Sequence, residues 1–231
     1  MSWKEEAKKR AAIEAMKHVK DGFILGLGSG STVAYSIQEI GKRIELEGLH
    51  LLGVPTSHQA FILAIRNGVP VTTLDEYPQI DLAIDGADQI DRELNLIKGM
   101  GGALTREKIV ASAAKRFIVV ADETKLTDKL GVGQAVPVEV LPFASSTVML
   151  KLERMGGKVV LRESKGKVGP VVTDNSNFIL DVSFGSIGNP EELNFQLKSI
   201  SGVIETGLFV DMVDVVYVGR RSAVQKLERV N

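Results

Sequence analysis

Cysteine is absent from the chain, which excludes disulfides and thiolate chemistry. Histidine is nearly absent too: His18, His50 and His58 show no metal-ligand spacing, and each reads as a surface or packing residue, so no metal site is expected. Charge of one sign is also lacking, because 28 Lys and Arg face 29 Asp and Glu. That balance, with no basic tract, argues against a nucleic-acid or membrane-surface partner. No apolar run approaches membrane-spanning length, and the opening MSWKEEAKKR is charged where a signal peptide needs an apolar core. A cytoplasmic protein is therefore expected. What remains is a chain of 231 residues, enough for one α/β domain or a large domain with a smaller companion.

The first half alternates two kinds of segment. Helical patterns fall at about 3–18, 31–45, 56–67 and 103–115, and short apolar runs at 23–26, 50–54, 81–85 and 116–120. This rhythm predicts βαβ units on a mostly parallel sheet. Each run ends in a polar segment: GLGSGST, then Pro55-Thr56-Ser57, then Asp85-Gly86-Ala87-Asp88, then Ala121 to Lys125. In an open parallel sheet the carboxyl ends of the strands share one edge, where ligands bind. Beyond residue 130 the character changes to VPVEVLP, a helical stretch at 145–155, then KVVLR, GPVVTD and NFILDVSF. These predict a small α+β domain over 130–205, with 1–129 and 206–231 forming the main domain. The run from Asp214 to Gly219 predicts a strand rejoining the first sheet, followed by a short charged helix.

GLGSGST at 26–32 is not a dinucleotide fingerprint, whose third glycine would fall at Ser31, nor a nucleoside triphosphate loop, which would need a lysine there. A short loop entering a helix, with Ser29, Gly30, Ser31 and Thr32 offering N–H groups and hydroxyls, suits one phosphate monoester. A turn in which Ser31 or Thr32 merely caps the helix fits the same residues.

Asp85 and Asp88 flank Gly86 and Ala87 at a strand end. Such a pair can ligate a metal, exchange protons, hydrogen-bond sugar hydroxyls or form an Asx-type turn. Lys98-Gly99-Met100-Gly101-Gly102 follows, leading into ALTREKIVASAAK. Glu107 lies in the first turns of that helix, either as a surface carboxylate favoured by the dipole or as a base pointing into a cleft. Lys98 could equally serve a structural salt bridge. A carboxylate base, further carboxylates, a lysine and a phosphate loop together describe chemistry on a phosphorylated sugar.

GLGSGST, DGADQID, KGMGGALTREKIV and ADETK, followed late in the chain by GVIETGLF, together resemble ribose-5-phosphate isomerase of the A type over essentially the whole length. The resemblance implies a Rossmann-like sheet flanked by helices with an inserted smaller α+β domain, an α/β fold. It implies interconversion of D-ribose 5-phosphate and D-ribulose 5-phosphate without a cofactor, by a homodimer or homotetramer. By the family pattern Glu107 is the proton-shuttling base, and Asp85, Asp88 and Lys98 are the other catalytic positions. The phosphate would meet Ser29 to Thr32 and Lys8. Gly86, Ala87, Gly99, Met100, Gly101 and Lys125 would contact the substrate, with Met100 offering its main-chain N–H. Met100 and Ser29 depart from the family pattern, which often has glycine and threonine there.

Rival readings from other classes are weaker. A sugar-phosphate-sensing regulator needs a DNA-binding helix-turn-helix, for which a helix starting at Ser2 leaves no room. An amino-sugar-phosphate deaminase would want a catalytic histidine, and none follows His58. A CoA-transferase would use the glutamate as a nucleophile towards an acyl-CoA.

Overall fold

In a computed structural model, residues 2–229 are described, except 165 and 167. In chain order the elements are α1 (Trp3–Ala15), β1 (Ile24–Leu27), α2 (Ser31–Glu47), β2 (Leu52–Pro55), α3 (His58–Arg66), β3 (Leu82–Asp85), β4 (Gln89–Ile90), β5 (Leu96–Ile97), α4 (Leu104–Ala113) and β6 (Phe117–Asp122). There follow β7 (Val136–Val140), α5 (Ser145–Arg154), β8 (Lys158–Leu161), β9 (Phe178–Ser183), α6 (Pro190–Lys198), β10 (Val203–Thr206), β11 (Leu208–Phe209), β12 (Val215–Gly219) and β13 (Val224–Glu228). The chain divides into two compact units: residues 1–87, 106–125 and 212–231 form the first, and 88–105 with 126–211 the second.

The first unit is a six-stranded sheet ordered β13-β12-β6-β3-β1-β2. Five strands run parallel, and β13 closes one edge antiparallel to β12. The chain leaves β1 towards β2 and then returns past β1 to form β3. The strand order therefore reverses between β1 and β3, the switch point at which such sheets open a ligand crevice. Helix starts are set by local chemistry. Ser2 caps α1 by accepting from Glu5 N–H at 3.3 Å, and Ser57 caps α3 by accepting from Ala60 N–H at 3.1 Å. In α1 the buried face is Ala7, Ala11, Ala12 and Ala15, so its backbone lies close on β12. A Cβ on Gly219 would fall 2.0 Å from the Ala7 carbonyl oxygen, so only glycine fits there. Leu25, Leu27, Ile37, Ile40, Leu82, Ile84, Ile118 and Val120 fill the core between sheet and helices.

The second unit pairs β10-β7-β9-β8 antiparallel and, separately, β11-β5-β4 antiparallel. Val136, Val138 and Val140 alternate along β7 into a core with Val148 and Leu152 of α5, Leu180 and Val182 of β9, and Leu197 of α6.

The expected mostly parallel α/β architecture with a sheet-rich insert is present, with three differences. Residues 88–105, 126–129 and 206–211, expected in the main domain, belong to the second unit, where β4 and β5 pair with β11. Two-residue strands carry no readable periodicity. The charged helix expected after Gly219 is instead β13, five residues paired with β12 from Val215↔Glu228 to Gly219↔Val224. So short a segment cannot offset the cost of nucleating a helix, whereas the open edge of β12 offers ready-made hydrogen bonds. GPVVTD forms no continuous strand, only isolated bridges of Pro170 with Glu163 and Val172 with Phe178.

Candidate active site

At the carboxyl edge of the first unit's sheet, β1 runs into Gly28-Ser29-Gly30 and α2 begins at Ser31. Gly30 stands at the helix N-cap with φ 99° and ψ 178°, a conformation costly for any other residue, and no side chain caps the helix. Neither Ser31 nor Thr32 is therefore a cap. Their N–H groups lie in the first turn, ahead of the intrahelical bond from Ala34 N–H to the Gly30 carbonyl. The positive end of a 17-residue helix lies behind them, an electrostatic setting that favours an anion.

The other two N–H groups of this stretch are already engaged. Ser29 donates to Asp85 Oδ1 at 3.2 Å and Gly30 to Gln59 Oε1 at 3.0 Å. The Ser29 hydroxyl meets Thr56 Oγ1 at 2.9 Å and Ser57 Oγ at 2.6 Å, so the ends of β1 and β2 are joined by hydroxyls. Lys8 of α1 reaches the loop and donates to Ser31 Oγ at 3.1 Å. Its ammonium also donates to Glu5 Oε1 at 2.9 Å, while Tyr35 OH donates to Glu5 Oε2 at 2.7 Å. Both contacts hold the Glu5 carboxyl below its usual range, the Lys8 bond first, and the same carboxylate raises Tyr35.

Asp85 ends β3 and is only 3% exposed, with Oδ1 accepting from Gly86 N–H at 2.7 Å as well as from Ser29. Glu107, in the first turns of α4, is 6% exposed, which removes the reading of it as a solvated surface charge. Ala87 closes this stretch of the first unit. Asp122, at the end of β6, accepts from Thr124 N–H at 3.0 Å, and that turn carries Lys125 in a half-buried position.

The remaining sequence candidates lie in the second unit. Asp88 is placed by its N–H bond to the Ile97 carbonyl at 2.8 Å, and Lys98 by its N–H bond to the Gly207 carbonyl at 2.8 Å. Lys98 is buried at 3% exposure, its Nζ 5.4 Å from the centre of the Phe209 ring, within cation–π range. Gly99 adopts φ 106° and turns the chain out to Met100 and Gly101, which are exposed. The Met100 N–H, expected on the substrate side, donates to Asp88 Oδ2 at 2.9 Å. No group of three or more His, Asp or Glu able to hold a metal occurs among the described residues.

The family model for ribose 5-phosphate isomerase A (phosphoriboisomerase A) matches residues 52–223. The chain belongs to that family. It is 53% identical over 220 residues to ribose-5-phosphate isomerase A of Methanosarcina acetivorans, covering 95% of this chain and 93% of the relative. The solved ribose 5-phosphate isomerase A of Methanocaldococcus jannaschii is similar at TM-score 0.94 and 47% identity, over 97% of this chain and 99% of its own. A D-ribose-5-phosphate isomerase solved in complex with phospho-erythronic acid is similar at TM-score 0.96 and 47% identity, over 99% of this chain and 100% of its own.

Within that family fold, several residues that shape the loop carry little signal in the sequence. Thr56 and Ser57 belong to a polar strand end already visible in the sequence, and their place beside Ser29 follows once β1 and β2 are neighbours. Gly28 lies inside GLGSGST, yet only its packing against Asp85 gives it a role. Glu5, Tyr35 and Gln59 left no signal, because their contact depends on how α1, α2 and α3 are rotated about their axes.

Proposed function

We propose that this chain interconverts D-ribose 5-phosphate and D-ribulose 5-phosphate through an enediolate, with Glu107 as the base. The observation that carries the reaction is the near full-length relation to ribose-5-phosphate isomerases A. Phospho-erythronic acid, present in one of the similar structures, supports the same chemistry, because a carboxylate on a phosphorylated chain of hydroxyls resembles the planar anionic enediolate. The residue roles rest on the family pattern together with the geometry of each unit.

The aldose and ketose differ only in the positions of two hydrogens. One moves from C2 to C1 and the other from the C2 oxygen to the C1 oxygen, with no net oxidation, so no redox cofactor is required. Glu107 takes the proton from C2 and returns it to C1 on the same face, and its burial suits a base that must not lose that proton to water. By the family pattern Lys98 supplies positive charge to the oxygens on which negative charge grows. Asp85 serves ring opening by accepting the anomeric hydroxyl proton and delivering one to the ring oxygen. Asp88 orients the substrate hydroxyls.

The phosphate is held by the Ser31 and Thr32 N–H groups, their hydroxyls and Lys8, with Lys125 as a further contact. Ser29 and Gly30 contribute by fixing the loop rather than through their own N–H groups, which donate to Asp85 and Gln59. Gly86, Ala87, Gly99, Met100 and Gly101 provide main chain that a substrate can approach closely. We also propose a cytoplasmic homodimer or homotetramer. Exposed apolar side chains such as Phe61, Ile62 and Ile65 on α3 and Phe143 and Phe195 in the second unit support association.

The test is direct. Purified protein treated exhaustively with chelator is incubated with ribose 5-phosphate, and ribulose 5-phosphate is measured. Turnover is expected with no added ion. Absence of product from folded protein, with or without divalent ions, would overturn the reading.

A further inference from the structure

Arg162 follows β8 in the second unit, two residues beyond Val160, which pairs with Asp181 of β9. With a strand period of two, its side chain emerges on the same face as Asp181. Its main chain is fixed as well, donating N–H to the Ile179 carbonyl at 2.9 Å and accepting from Val171 N–H at 2.8 Å. The guanidinium meets Asp181 in a two-pronged pair, Nε to Oδ2 at 2.8 Å and Nη2 to Oδ1 at 2.5 Å. The Arg162 side chain is 13% exposed and that of Asp181 24%, so the pair is shielded from water and its geometry is defined.

One guanidinium nitrogen is left for other work. Nη1 donates to the carbonyls of Gly99 at 2.8 Å and Met100 at 3.1 Å. The peptide between these two residues is therefore held at both ends, its carbonyl by Arg162 and its N–H by Asp88 Oδ2 at 2.9 Å. In a planar trans peptide the oxygen and the hydrogen point in opposite directions. Fixing the carbonyl thus fixes the line along which the N–H meets the Asp88 carboxylate. Gly99 has φ 106°, and its carbonyl also accepts from Gly102 N–H at 3.0 Å, so the clamp acts on a tight turn rather than on a slack loop. Lysine could not replace the fork, since a single ammonium cannot hold Asp181 in two prongs and also span two carbonyls.

We propose that Arg162 is a positioning residue for the isomerisation: anchored by Asp181, it sets the Gly99–Met100 peptide and, through that N–H, the orientation of Asp88. The inference rests on the role proposed for Asp88 above. Arg162 touches no reacting atom. It acts by holding one oxygen of the carboxylate so that the other is presented in one direction.

The experiment compares Arg162→Lys, Asp181→Asn, Asp88→Asn and the double variant Arg162→Lys/Asp88→Asn. For each, kcat, KM for ribose 5-phosphate, the inhibition constant of inorganic phosphate and the thermal midpoint are measured. Arg162→Lys is expected to lower kcat by roughly ten- to a hundredfold, as a misplaced group does, while the phosphate inhibition constant and the midpoint stay near wild type. Asp181→Asn should show a smaller loss of the same kind. The double variant should be about as slow as Asp88→Asn alone, because both changes act on one coordinate. Wild-type kcat in Arg162→Lys beside an impaired Asp88→Asn, or losses that multiply in full, overturns the inference and leaves the Asp88 role standing. Wild-type kinetics in Asp88→Asn overturns that role and the inference with it. If Arg162→Lys does not fold, Asp181→Asn decides, and wild-type kcat there is the overturning result.

Discussion

The main-chain N–H of Ser29 donates to Asp85 Oδ1 at 3.2 Å, tying the loop that leaves β1 to the carboxylate that ends β3. These are the two strands between which the strand order reverses. Next to this bond, a Cβ on Gly28 would lie 2.2 Å from Asp85 Oδ1 and 2.7 Å from Asp85 Cα. The glycine is thus required by the carboxylate beside it rather than by its own backbone angles.

Gly28→Ala is accordingly expected to force the ends of β1 and β3 apart, since the Asp85 main chain cannot swing away as a side-chain tip would. Overpacking of this kind costs about 1–3 kcal/mol of stability. The loss of kcat/KM should be larger, at least about tenfold, because the loop proposed to hold the phosphate and the carboxylate proposed to open the ring move together. Steady-state kinetics beside thermal unfolding checks this, and unchanged kcat/KM would separate the Gly28 contact from function.

Gly30 requires glycine for a different reason. Nothing lies within 4 Å of a Cβ built there, but φ is 99°. Gly30→Val should strain the backbone and turn the first N–H groups of α2 away from the phosphate, raising KM at least about tenfold while the circular-dichroism spectrum is kept. Lys8→Ala should act more mildly in the same direction, since it removes charge and leaves the helix terminus intact. Inorganic phosphate should weaken as a competitor in both. A wild-type inhibition constant for phosphate in both variants would remove this loop from the binding site.

Glu139 is fully buried on β7 and accepts four side-chain donors. Thr173, Asn175 and Asn177 bond Oε1 at 2.8, 3.1 and 2.9 Å, and Thr105 bonds Oε2 at 2.5 Å. Glu139→Leu would remove the acceptor that these four donors share and should cost about 3 kcal/mol or more, whereas Glu139→Gln, which keeps one oxygen, should cost less. Urea unfolding ranks the three proteins, and a leucine variant as stable as wild type would contradict the account.

Much of the first unit was legible because β1, β2, β3 and β6 are apolar runs of four to six residues alternating with helices of nine to seventeen, each near its natural length, whereas the charged β13 was not. GLGSGST and IDLAID marked the ends of β1 and β3, the neighbouring strands between which the strand order reverses. The commitments of individual N–H groups were not legible. That Ser29 and Gly30 serve Asp85 and Gln59, and Met100 serves Asp88, depends on peptide orientation, which side-chain identity does not encode. Arg162 was hidden for a related reason: it lies 63 and 62 residues from the two carbonyls it holds, just beyond the end of β8, and nothing in its sequence neighbourhood marks that contact.

His18 gives the protein a pH-dependent stability. Its Nδ1 lies 3.1 Å from Arg116 Nη1, which can only donate, so the ring hydrogen sits on Nε2, 2.8 Å from Tyr217 OH. Burial first, then the charges of Arg116 and Lys226, hold the imidazole below its ordinary pKa, against smaller pulls from Glu228 and Glu14. The unfolded chain takes up this proton near pH 6.5 and the folded chain only at lower pH. Stability is therefore complete above about pH 6.5 and declines as pH falls towards the lowered folded value. His18→Gln removes the titration, so its thermal midpoint should fall less than that of wild type between about pH 7.5 and pH 5.5. Parallel profiles would contradict this.

The role proposed for Glu107 is to carry the proton between C2 and C1, and Glu107→Gln keeps its shape while removing the acceptor. The account predicts a kcat at least about a hundredfold below wild type, with the phosphate inhibition constant and the thermal midpoint little changed. A folded Glu107→Gln protein that isomerises ribose 5-phosphate at near wild-type kcat would contradict it.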